Sequence, residues 1–157
     1  ANMQNQLYSI CKQFKIFSPE AGRDIWKWVY REGNEEADHE THIARKGLAT
    51  SDVRWDYNTL NSICMGHYSV LAVRGSFDGG RCELGTSCCW VIDIFISSNL
   101  SSSSLPPGLP PNRWHLGVAR RAFMIPSHCT VTQAELAASQ SLLSGVVDLC
   151  TYIYIYS

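Results

Sequence analysis

The sequence has no surplus of charge of either sign. Its 13 Lys and Arg against 14 Asp and Glu leave a net charge of -1, which excludes a protein that grips nucleic acid by a basic surface alone. It has no Cys-x-x-Cys pair, and its 7 cysteines are an odd number. A secreted disulfide framework is thereby set aside, and the expectation is reduced thiols in an intracellular compartment, nucleus or cytoplasm unresolved. His39 and His42 stand at i, i+3 and miss the spacing of the zinc-protease helix, so a solvated helix face is preferred to a metal role for that pair. No signal peptide opens the chain and no apolar run reads as long enough to span a bilayer, so no membrane is expected. No internal repeat is present. Asn99-Leu100-Ser101 fits the glycosylation sequon, which is idle inside a cell.

What is present suits one domain: 157 residues, 45% of them hydrophobic, are enough for a packed core. Residues 2–14 read as a helix, with Leu7, Ile10, Cys11 and Phe14 on one stripe. Ile25 to Tyr30 reads as a strand, and Asn34 caps a helix running to about Lys46 before Gly47. Residues 48–67 show no clear period and read as a connector. Tyr68 to Arg74, Ser87 to Ile96 and Trp114 to Met124 are strand candidates rich in β-branched and aromatic residues. The serine- and proline-rich stretch 97–111 reads as an exposed loop. Val131 to Leu143 reads as a helix and Val146 to Tyr156 as β-prone, an uncertain tail or strand over 146–157. Three consecutive strands with helices elsewhere predict an α/β fold with a mixed sheet covered by helices.

Three carboxylates are candidates for chemistry. Asp78 stands where the first strand candidate runs into Gly79-Gly80, which lets backbone or substrate approach; an ordinary Asp-Gly turn is the alternative. Glu135 lies among Ala134, Leu136, Ala137 and Ala138, where a partly hidden acid calls for a partner or a metal; an exposed boundary glutamate is the alternative. Asp38 lies in the first turn of a helix, which the helix dipole alone explains.

Together these segments resemble the ribonuclease H type 1 family. Phe77-Asp78-Gly79-Gly80 resembles the end of its first strand, Ala134-Glu135-Leu136 its first helix, and Arg31-Glu32-Gly33-Asn34-Glu35-Glu36-Ala37-Asp38 the R-E-x-N-x-x-A-D opening of its last helix. The resemblance covers residues 2–46 and 68–145, with the family order reversed. It implies an RNase H-like sheet, circularly permuted or fragmentary. Segment 1–47 corresponds to the C-terminal part, 48–67 is a connector, and 68–145 corresponds to the N-terminal part.

The implied activity is hydrolysis of the RNA strand of an RNA/DNA hybrid by two Mg²⁺ or Mn²⁺ ions. Asp78 would bridge the two metals, Glu135 would hold one and Asp38 the other. The family's further Asp, in a D-S dipeptide, has no counterpart; Asp148 is a weak replacement, and Glu40 stands where the family has an apolar anchor. The start at Ala1 and the Tyr-Ile tail leave three expectations for the reversed order: a permutation, parts of two domain copies, or a truncated chain. The missing acid leaves a second function open, a non-catalytic module that binds nucleic acid or protein. An unrelated α/β protein with chance matches is a third.

Overall fold

The computed structural model describes residues 39–40, 52–99 and 112–156. They form a mixed α/β fold. Strand β1 (Arg54–Trp55) leads into helix α1 (Tyr57–Cys64), then strands β2 (Tyr68–Cys82), β3 (Gly85–Ser98) and β4 (Asn112–Ile125), and helix α2 (Val131–Tyr156). The strands make one sheet in the order β1-β4-β3-β2, and every neighbouring pair is antiparallel. Among the described strands, β2 is therefore an edge.

Val, Ile and aromatic residues give the three long strands their β preference, and all three extend beyond their expected bounds. The extension of β2 matters most. Asp78-Gly79-Gly80 is not a turn: it continues the strand opposite Cys89, Cys88 and Ser87, and the hairpin reverses at Glu83 and Leu84.

Strand β3 is buried on both faces from Thr86 to Ile94. Trp90, Ile92, Ile94 and Ile96 pack with Leu142 and Leu149 of α2 and with Leu60 and Ile63 of α1. The buried Trp90 Nε1–H is satisfied by Ser141 Oγ at 2.8 Å, as a buried indole requires. On the opposite face, Asp93 sits at a register shift between Ile92 and Ile94. Its Oδ1 accepts the Gly117 N–H at 2.7 Å, and Gly117 has φ +73°, a backbone state that favours glycine.

Three expectations of the sequence are corrected here. The stretch expected as a connector over 48–67 holds β1 and α1. Asp56 caps α1 by accepting the Thr59 N–H at 3.1 Å, and Leu60 and Ile63 are buried in the core. The tail expected as β-prone over 146–157 continues α2 to Tyr156. Its Tyr-Ile alternation has the period of a strand, but Leu142, Leu149, Tyr152 and Ile153 extend one helical stripe onto the core. Extending an existing helix also needs no new nucleation. At 26 residues, α2 is long and apolar enough by length and composition to cross a membrane, contrary to the reading of the sequence. Its Ala134, Ala138, Leu142 and Leu149 are buried against the sheet, while Tyr154, Ile155 and Tyr156 at its end are exposed.

Candidate active site

Asp78 and Glu135 come from different elements, and both lie next to the point where α2 crosses β2. The crossing is made possible by Gly79: a Cβ added there would lie 2.6 Å from the Glu135 backbone nitrogen and 2.7 Å from the Ala134 Cβ. Only a residue without a side chain permits so close an approach. Gly79 and Phe77 face α2, because Phe77 packs with Ala134 and Ala138, so alternation along the strand turns Asp78 to the other face. Glu135 is still near enough to Asp78 to feel its charge.

Both carboxylates are half-buried. Asp78 Oδ1 accepts the Gly79 N–H at 2.9 Å. Burial pushes the Glu135 carboxyl above the usual carboxylate range, and the charge of Asp78 pushes it further. Two acids that repel each other in a partly desolvated site are hard-oxygen donors suited to a divalent cation, which relieves the repulsion. Among the described residues no group of three or more His, Cys, Asp or Glu stands ready to hold a metal.

Asp38, the third expected ligand, lies outside the described residues. Asp148 is exposed on α2, about 20 Å beyond Glu135 along the axis at ~1.5 Å per residue, and joins no site with it. Glu40 is helical and buried at 1% exposure. It forms an ion pair with Arg54 of β1, so the acid at the expected apolar anchor is compensated by a charge from the supposed connector.

The start of α2 is held by several further side chains. Thr130 and Gln133 form a capping box: Gln133 N–H donates to Thr130 Oγ1 at 3.1 Å and Thr130 N–H to Gln133 Oε1 at 2.8 Å. Arg81 Nη2 donates to the Ser127 carbonyl at 2.9 Å, and the Thr86 hydroxyl donates to the Cys129 carbonyl at 3.1 Å. The buried Cys88 thiol donates to the Ala134 carbonyl at 3.3 Å. Burial and the neighbouring Cys129, partly offset by Arg121, push that thiol up to about 12, so it stays protonated and is no nucleophile. The Thr130-x-x-Gln133 spacing was the one readable signal among these contacts.

An acid–histidine–hydroxyl group, also unannounced, joins α1 to β4. His115 Nε2 lies 2.6 Å from Asp56 Oδ2 and 3.2 Å from Thr59 Oγ1, and the Thr59 hydroxyl itself donates to Asp56 Oδ2 at 2.9 Å. A nucleophile relay needs acid and hydroxyl on opposite ring nitrogens. Here both meet Nε2, and the group is a helix cap. Burial alone would raise the Asp56 carboxyl, but the Thr59 N–H, the Thr59 hydroxyl and His115 outweigh it and hold it below its ordinary value.

Comparison with known proteins finds no matching family model, no matching curated protein and no matching solved structure.

Proposed function

We propose that this chain is an RNase H-like, metal-dependent nuclease that cleaves the RNA strand of an RNA/DNA hybrid, with Asp78 and Glu135 as two of its metal ligands. The observation that carries the reading is the placement of these two acids beside the Gly79 crossing, where the charge of Asp78 adds to burial in raising the Glu135 carboxyl. Further support comes from the succession of three antiparallel strands and a helix bearing an acid on its first strand and another on its helix. In this reading residues 68–145 are the first part of the domain and residues 1–47 its last part, in permuted order. Asp38 is proposed as a third ligand on the resemblance alone.

Asp78 and Glu135 would hold Mg²⁺ or Mn²⁺, and such a metal supplies an activated water and stabilisation of the leaving 3′ oxygen. The chain's own part is orientation. The Gly79 N–H fixes one oxygen of Asp78, and the packed first turn of α2 fixes Glu135. The raised Glu135 carboxyl links metal binding to pH: a proton and a cation compete for the same oxygens, so affinity rises as that carboxyl ionises. A hybrid would be read by its shape and 2′-hydroxyls, which needs no large positive surface.

The second reading, a non-catalytic module that binds nucleic acid or protein, is supported by the sequence: the family's further Asp has no counterpart, and the net charge is -1. The deciding experiment is cleavage of a labelled RNA/DNA hybrid with Mg²⁺ by the wild-type chain and by Asp78→Asn. Cleavage that falls at least about 100-fold in the variant supports the nuclease. Hybrid binding without cleavage by either chain supports the module.

A further inference from the structure

Two arginines face each other across the β1–β4 ladder. Arg54 and Arg120 are Cα partners, so their side chains leave the sheet on the same face. Like charges placed directly opposite repel, and such a pair by itself destabilises the ladder. Only one of the two is compensated. Arg54 pairs with the buried Glu40, and even so its Nε is buried with no hydrogen-bond partner. Arg120 is exposed and has no ion pair or hydrogen bond among the described residues. It is nevertheless held in place. Its guanidinium lies over Gly117, where an added Cβ would stand 3.4 Å from Nη1 and 3.8 Å from Cζ. Gly117 is itself tied down through its N–H to Asp93. A side chain resting on fixed backbone costs less to order when a ligand arrives.

The charges decide which ligand fits. Arg74 is committed to Asp93. Arg54 and Arg120 against Glu40 leave one positive charge in excess, and the acid is the buried member, so the solvent side of the pair is cationic. Guanidinium groups present planar donor forks that match phosphate oxygens. A phosphodiester carries one negative charge, which this excess balances, whereas a phosphate monoester carries nearly two. We propose that Arg54 and Arg120 form a binding site for one phosphodiester group of a nucleic-acid backbone. The site rests on the binding of nucleic acid and not on the metal ligands proposed above. A contact of this kind fixes the position of the strand without reading its sequence.

The test is the salt dependence of binding a fluorescein-labelled RNA/DNA hybrid to the full chain, read by anisotropy in EDTA so that no metal-dependent cleavage occurs. Arg54 is left intact, because its loss would strand Glu40 as a buried, unpaired charge. Arg120→Gln is expected to weaken affinity several-fold and to lower the slope of log affinity against log salt by about one. Arg120→Lys keeps the slope. Arg113→Gln removes an equally exposed charge about 23 Å along β4, at ~3.3 Å per residue, and leaves the slope unchanged. A wild-type chain that binds no hybrid overturns the site, as does a slope shared by wild type and Arg120→Gln, or lowered as much by Arg113→Gln. Inorganic phosphate that displaces the hybrid better than chloride at equal ionic strength makes free phosphate the ligand and overturns the phosphodiester. A slope that falls in Arg120→Gln, with no cleavage once Mg²⁺ is supplied, upholds the site and ends the nuclease reading alone.

Discussion

Asp93 and Glu135 are both carboxylates removed from bulk water, and they are treated in opposite ways. Asp93, 1% exposed, accepts Arg74 Nε at 3.3 Å and Nη2 at 2.8 Å on one oxygen and the Gly117 N–H on the other. Its charge is matched by a base and an amide. Glu135 has a second acid as its electrostatic neighbour, and its carboxyl is pushed up by burial and by Asp78. The first arrangement fixes a strand register. In the second, burial and a like charge both disfavour the ionised acid, an arrangement in keeping with the proposed cation site.

Replacing each acid separates the two. Asp93→Ala leaves the Gly117 N–H buried and unpaired, and is expected to cost about 2–4 kcal/mol in urea unfolding. Asp93→Asn retains an acceptor for Gly117 and weakens only the ion pair with the half-exposed Arg74, so it costs only about 1–2 kcal/mol. Equal losses in the two variants would place the weight on the charge rather than on the amide.

Gly79→Ala tests the crossing. The added Cβ meets backbone rather than a flexible side-chain end, so α2 must shift, with an expected loss of about 1–3 kcal/mol. Unchanged stability would mean that α2 does not lie so close to β2.

Asp78→Asn or Glu135→Gln removes repulsion and is expected to leave stability unchanged or raise it by up to about 1 kcal/mol. A loss comparable to that of Asp93→Ala would make the pair architectural and end the contrast.

The pH dependence carries the same contrast in sign. Glu135 has a raised folded pKa, so the folded state binds the extra proton. Its ionisation destabilises the fold as pH rises above its ordinary value of 4.5, and the penalty is relieved as pH falls. Asp56 has a lowered folded pKa, so its contribution is present above its ordinary value of 3.8 and is lost as pH falls through the lowered one. Urea midpoints across this range should lose the Glu135 component in Glu135→Gln and the Asp56 component in Asp56→Asn. A Glu135→Gln profile that keeps the wild-type slope above 4.5 would contradict the raised carboxyl.

The three long strands β2, β3 and β4 were legible because β-branched runs bounded by Gly, Ser and Pro leave little choice. Asp78 and Glu135 were legible as motif residues, whereas the crossing beside which they lie was not, since a glycine does not announce its partner. Helix α1 escaped because it has only 8 residues and its signals are a single Asp cap and Leu60 with Ile63. The tail misled because Tyr-Ile alternation imitates a strand while its tertiary contacts follow a helix. Thr86 was invisible: a threonine in a strand is ordinary, and its bond to Cys129 spans 43 positions. The Glu40–Arg54 pair was hidden likewise, because one partner lies in a stretch with no periodicity.

The central claim is that Asp78 and Glu135 form a cation site. Its most direct test is isothermal titration of Mn²⁺ into the wild-type chain and into Asp78→Asn and Glu135→Gln at neutral pH. Saturable binding by the wild type that is lost in both variants is the predicted result. Binding that survives both substitutions, or is missing from the folded wild type, would contradict it.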